Sequence, residues 1–156
     1  MAKQYWIGDI LVGSHDEEVV ELCGWVHRTR GSNKIRFLVL RDSTGSLQCV
    51  IKKGAVDDEC FDALSGALIE SSVRVTGKVI RTDREHGYEL SVSTGNVVGA
   101  VNPDSPFPIT ESAMAEADGG ETEFLLDNRH LYLRTSRMTK MLKIRSTVFG
   151  SVHSYF

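Results

Sequence analysis

A single change of period constrains this chain more than any other feature. Residues 57–70 place Phe61, Leu64, Ala67 and Leu68 at helical spacing. The segments on either side alternate apolar and polar residues with a period of two, as half-buried strands do. Asp57 or Asp58 supplies an N-cap for the predicted helix. Three alternating segments precede it and two follow. One helix between three strands and two strands cannot build a repeating strand–helix–strand sheet, so the strands must find partners among themselves.

The first strand is expected over residues 19–30, apolar at its start and basic at its end, with Gly24 marking a bulge or bend. Gly31-Ser32-Asn33 makes a turn. The second strand covers 34–42 and the third 47–52, joined at Ser43-Thr44-Gly45, where Gly45 offers a positive φ. In the third strand Leu47, Cys49 and Ile51 share one face, and Gln48, Val50 and Lys52 the other. After the helix, Val73, Val75 and Val79 alternate with polar residues. A polar turn at 83–87 follows, and then Tyr88, Leu90 and Val92 alternate in turn. Three strands, a helix and two strands is the order of a β-rich, five-stranded Greek-key OB-fold barrel, in which the helix between strands three and four plugs one end. This barrel is expected over residues 1–100.

Charge is segregated along the chain, although the formal net charge is only −3. Residues 25–53 carry seven basic residues (Arg28, Arg30, Lys34, Arg36, Arg41, Lys52, Lys53) and one acid, Asp42. Within this basic stretch lie an aromatic ring, Phe37, and an amide, Gln48. A ring stacks on an unpaired base, an amide hydrogen-bonds its edge, and cations hold its phosphates. Gln suits uracil: its NH₂ donates to a carbonyl and its oxygen accepts from the ring N–H. Arg28 and Arg30 are candidates for flanking phosphates or the base edge, and Lys34, Lys52 and Lys53 for auxiliary phosphate contacts.

Periodicity alone leaves the faces open. If Leu38 and Leu40 point into the barrel, Phe37 lies outside; if Ile35, Phe37 and Val39 are the core set, it does not. Gln48 reads equally as an ordinary exposed strand residue. Trp25 is expected in the core, and Cys23 and Cys49 are expected as buried thiols. Three cysteines without a CxxC pair give neither a disulfide framework nor a zinc site, and the five histidines lack ligand spacing. No apolar run approaches the roughly 20 residues that span a bilayer. MAKQYWIGDI has no signal-peptide core, and a cytoplasmic location is expected.

Residues 101–134 change character. All three prolines, Gly119-Gly120 and a run of acids (Asp104, Glu111, Glu116, Asp118, Glu121, Glu123, Asp127) fall at or near this segment, which is expected to be a hinge. From Ser136, a second N-cap candidate, a helical period returns through Met138, Met141, Leu142, Val148, Phe149 and Val152. Six basic residues lie between 128 and 145. An amphipathic helix with no partner in the sequence implies a further domain or a dimer contact.

Gly24-Trp25-Val26, Arg28, Phe37, Arg41-Asp42, Gly45 and Gln48 together resemble the anticodon-binding domain of the class IIb aminoacyl-tRNA synthetases. The resemblance implies that Phe37 stacks on the middle anticodon uridine and Gln48 hydrogen-bonds it, with Arg28 assisting. Glu89, in Gly87-Tyr88-Glu89-Leu90, stands where the family places a Glu near another anticodon base. Phe107-Pro108-Ile109 is similar to the family's hinge, and the run from Phe124 to Arg134 resembles the asparaginyl branch. Residues 135–156 resemble the first helix of the class II catalytic domain.

By this resemblance the chain is the N-terminal part of an asparagine–tRNA ligase and binds tRNA, that for asparagine above all. ATP, magnesium and homodimerisation belong to the full-length parent. The three class II catalytic motifs are not found, no catalytic residue or metal ligand is assigned, and the piece alone is expected to be inactive. Two alternatives stand beside it: a stand-alone OB-fold nucleic-acid-binding paralogue without catalysis, and an aspartyl enzyme, including a non-discriminating one.

Overall fold

A computed structural model describes residues 3–83, 87–109 and 122–156 of the chain. The chain falls into two compact units, Met1–Phe107 and Pro108–Phe156. In the first, β1 (Lys3–Gln4) and α1 (Ile7–Leu11) precede the five strands β2 (Val19–Gly31), β3 (Ile35–Arg41), β4 (Ser46–Lys52), β5 (Ser72–Arg81) and β6 (Tyr88–Gly99), with α2 (Asp58–Gly66) between β4 and β5. The order is the expected one; β1 and α1 are additions that sequence periodicity did not show.

The sheet closes on itself. β2 pairs antiparallel with β3 and with β5, β3 with β4, and β5 with β6. The circuit is completed by a parallel pairing of β4 with β6. The short β1 adds to the N-terminal half of β2 in parallel.

The inward set is the apolar half of each alternation: Val20, Leu22 and Val26, Leu38 and Leu40, Leu47, Cys49 and Ile51, Val73, Val75 and Val79, and Leu90 and Val92. Leu38 and Leu40 are therefore core, and Phe37 and Val39 face outward. Cys60, Phe61 and Leu64 of α2 and Ile7 and Ile10 of α1 complete the core. Asp57 caps α2 by accepting from the Cys60 N–H at 2.6 Å, while Leu68, beyond the helix end, is 37% exposed.

Two expectations about β2 are corrected. The register shift lies between Val26 and Arg28, so His27 is the extra residue and Gly24 is not. Gly24 serves close packing instead: a Cβ there would stand 2.5 Å from the Arg41 carbonyl oxygen. Trp25 is 41% exposed rather than core, because it alternates with Gly24 and Val26, which face in. Cys23, on the same outward face, is half-buried, whereas Cys49 is fully buried. Burial pushes the Cys49 thiol up to about 12, since the low-dielectric interior disfavours the thiolate.

The β3–β4 turn is also built differently from the expectation. Gly45 has no positive φ. The buried Asp42 carboxylate organises the turn by accepting from the Thr44 N–H and hydroxyl and the Gly45 N–H at 2.6–2.9 Å. Its other oxygen accepts from the Ile7 N–H at 2.8 Å, tying α1 to the barrel.

The second unit contains α3 (Thr122–Asp127), α4 (Arg129–Tyr132) and the 20-residue α5 (Ser136–Tyr155). The expected hinge segment thus carries two short helices. The N-cap of α5 is Thr135, whose hydroxyl accepts from the Met138 N–H, rather than Ser136. Met141, Leu142, Val148, Phe149 and Val152 are 40–56% exposed along α5. Glu111, Glu116, Asp118, Gly119, Gly120 and Glu121 of the proline- and acid-rich segment, and residues 84–86 of the β5–β6 turn, lie outside the described residues. Among the described residues no helix is long and apolar enough to cross a membrane.

Candidate nucleic-acid interface

The bulge in β2 decides what its basic end can do. Up to Val26 the even-numbered residues of β2 point inward. One inserted residue reverses the alternation, because side chains change face at every step. Beyond His27 the even-numbered Arg28 and Arg30 therefore lie on the outward face, opposite Val39 and Phe37. Without the bulge, both guanidinium groups would be directed at the barrel interior. The bulge is anchored on its other side, where the Val26 N–H donates to the Ser71 carbonyl and the Glu70 N–H to the Val26 carbonyl.

Two successive outward-facing rungs of the barrel gather the candidate residues. One runs Arg28–Val39–Gln48–Glu89 across β2, β3, β4 and β6, and the next runs Arg30–Phe37–Val50–Ser91. Strands stand about 4.8 Å apart, so each rung spans some 14 Å, enough for a nucleotide and its neighbours. Arg28 and Arg30 are exposed; Phe37, Gln48 and Glu89 are half-buried.

The side chains interlock. The Arg30 guanidinium carbon lies 5.4 Å from the centre of the Phe37 ring, a cation–π distance. The same guanidinium donates to Gln48 Oε1 at 3.1 Å. Gln48 Nε2 donates to Glu89 Oε1 at 2.8 Å. Phe37 and Gln48 are thus linked through Arg30, and Gln48 is held from both sides. Its amide keeps one N–H and one oxygen lone pair beyond these two bonds.

The lysines divide. Lys52 follows Gln48 and Val50 on the outward face of β4 and pairs with Ile35, while Lys34 is exposed just before β3. Lys53 turns toward α2 instead: its Nζ lies 3.9 Å from Asp58 and 5.8 Å from the centre of the Phe61 ring. Neither the convergence of Arg30 and Glu89 on Gln48 nor the role of the His27 bulge was visible in the sequence. The signal for the first is non-local, since β4 meets β6 across 41 residues.

Three comparisons bear on this face. The tRNA anticodon family, described as an OB-fold nucleic acid binding domain, matches residues 20–98. The asparagine–tRNA ligases of Thermoplasma acidophilum and Koribacter versatilis are 40% and 38% identical to this chain over 96% and 93% of its length. The chain spans 33% and 32% of those relatives. The crystal structure of asparaginyl-tRNA synthetase from Pyrococcus horikoshii matches with a TM-score of 0.82 and 31% identity, over 99% of this chain and 35% of that one. The closed five-stranded barrel, its capping helix and the match over half of the sequence agree: the chain belongs to the tRNA anticodon family of OB-fold nucleic acid binding domains.

Proposed function

We propose that this chain recognises the anticodon of a tRNA, that for asparagine, as the N-terminal part of an asparagine–tRNA ligase. The observation that carries the reading is the placement of Phe37 and Gln48 on adjacent outward rungs, flanked by Arg28 and Arg30. A base splayed from a loop stacks on Phe37 and meets the remaining N–H and oxygen lone pair of Gln48. Arg28, Arg30, Lys34 and Lys52 attract the surrounding phosphates, and Lys53, drawn toward α2, is the least engaged. Phosphate attraction supplies affinity, and contact to the base supplies choice.

The ligase reaction is proposed for the parent protein. There ATP activates asparagine and the activated amino acid is transferred to the tRNA 3′ end; magnesium and homodimerisation belong to that longer protein too. A cytoplasmic setting accords with this role. No chemical step passes through the residues described for the barrel.

The test is a binding competition at fixed salt between anticodon stem-loops for asparagine, aspartate and an unrelated amino acid. The asparagine stem-loop is expected to win. Phe37→Ala is expected to weaken it by about 1–3 kcal/mol, the usual worth of base–aromatic stacking. Equal binding of all three stem-loops, or an unchanged titration for a folded Phe37→Ala, overturns the reading.

A further inference from the structure

We propose that Arg30 and Glu89 act as positioning residues that lock the Gln48 amide in one orientation, and that this lock makes the site prefer uracil to cytosine. The inference rests on the reading of Phe37 and Gln48 as the base-holding pair.

A glutamine amide is nearly symmetric in shape but opposite in hydrogen-bonding sense at its two ends. Left free, it can rotate by half a turn and exchange donor for acceptor at little cost. Uracil and cytosine exploit that freedom in opposite ways. In one and the same pose, uracil presents an N3–H donor and an O4 acceptor, whereas cytosine presents an N3 acceptor and an N4–H donor. An amide that reads uracil with Oε1 at N3 and Nε2 at O4 reads cytosine once it has flipped. A freely rotating Gln48 would therefore accept both pyrimidines.

The structure removes that freedom. Arg30 has only donors to offer, and it faces Oε1 at 3.1 Å. Glu89 as a carboxylate has only acceptors, and it faces Nε2 at 2.8 Å. The orientation of the amide follows from these two partners alone. The flipped amide would set NH₂ against guanidinium and carbonyl oxygen against carboxylate, losing two charge-assisted hydrogen bonds and creating two repulsive contacts.

The partners are themselves held. Arg30 rests over the Phe37 ring, and Glu89 is fixed beside Gln48 by the parallel β4–β6 register. The second N–H and second lone pair of Gln48 therefore project in a fixed order. A ring on one rung and an oriented amide on the next present one donor–acceptor pattern to an incoming base.

The experiment compares two anticodon stem-loops that differ only in U or C at the middle position, titrated into the whole chain at fixed salt. The readout is the ratio of the two dissociation constants. It is insensitive to general losses of phosphate attraction or stacking, since both RNAs suffer those alike. The wild type is expected to favour U. Glu89→Gln and Arg30→Gln each replace a one-way partner with one that both donates and accepts, and each is expected to narrow the ratio.

The double variant is expected to narrow the ratio by about tenfold, within the range that one bidentate base contact contributes to discrimination. Arg30→Lys, still donor-only, is expected to keep the wild-type ratio. A wild type that favours U together with a folded double variant of unchanged ratio overturns the lock. A wild type that binds U and C equally overturns the base-reading role of Gln48 itself, and the lock with it.

Discussion

Two arginine–glutamate arrangements sit near opposite ends of β3, and they differ in what stands between the charges. At one end Arg41 donates directly to Glu70 at 2.6 Å, and the side chains are only 20% and 6% exposed. At the other end Arg30 and Glu89 do not meet; Gln48 stands between them and bonds to each. The direct pair joins its charges within a half-dry corner, where it holds the α2–β5 connection against β3. The mediated pair leaves an oriented amide with spare hydrogen-bonding capacity on an open face. On the proposed reading, the direct pair serves the fold and the pair split by an amide serves base recognition.

The two ends are expected to respond to substitution differently, one in stability and the other in base preference. The largest effect is expected at the closed end. Glu70→Ala removes the carboxylate that faces the mostly buried Arg41 guanidinium and should cost about 3 kcal/mol of stability in urea unfolding, as broken buried pairs do. A loss below ~1 kcal/mol would put Arg41–Glu70 in the same class as exposed surface pairs and erase the distinction.

Asp42→Asn tests the neighbouring turn. The amide keeps an oxygen for Thr44 and Gly45 but turns a donor toward the Ile7 N–H, leaving that buried N–H without its acceptor. The expected cost is about 1–3 kcal/mol, seen as a lower urea midpoint, with α1 released before the barrel unfolds.

Alkaline stability probes the interior between the two ends. The Cys49 thiol, with its ordinary value of 9.0, is held protonated in the folded barrel up to about 12. Because the folded value is raised, its contribution to stability is complete below about 9 and is lost as pH rises from there toward 12. Cys49→Val is expected to flatten that part of the pH–stability curve relative to the wild type. Identical slopes for the two proteins would mean that Cys49 is not insulated from solvent.

The smallest stability effect is expected at the open end. Gln48→Ala should shift the unfolding free energy by no more than about 0.5 kcal/mol, the usual range for surface substitutions. The same variant should lose preference for uridine at the middle position. A destabilisation as large as that of Glu70→Ala would make Gln48 a structural residue and collapse the comparison.

The two ends also differ in how far they could be read in advance. Alternation in residues 47–52 placed Leu47, Cys49 and Ile51 inside and Gln48 outside without any knowledge of the fold, because strand geometry assigns faces residue by residue. It did not choose between Phe37 and Leu38, since both halves of that strand are apolar. Only the packed core, which admits Leu38 and Leu40, made that choice. Trp25 misled for a related reason: a large apolar side chain suggests burial, yet its place beside Gly24 and Val26 puts it on the outer face.

The sequence by itself determined the five barrel strands, the position of the helix between the third and fourth of them, the inward apolar set of residues 47–52, and the clustering of cations around Phe37 and Gln48. These are local properties, written in periods of two and 3.6 residues and in composition. Tertiary structure decided where β2 inserts its extra residue, and therefore that Arg28 and Arg30 face outward with Phe37. It also decided that β4 and β6 run side by side, and therefore that Glu89 reaches Gln48. Both depend on register between strands far apart in the chain. Closing the barrel sets that register, and no short window of sequence contains it.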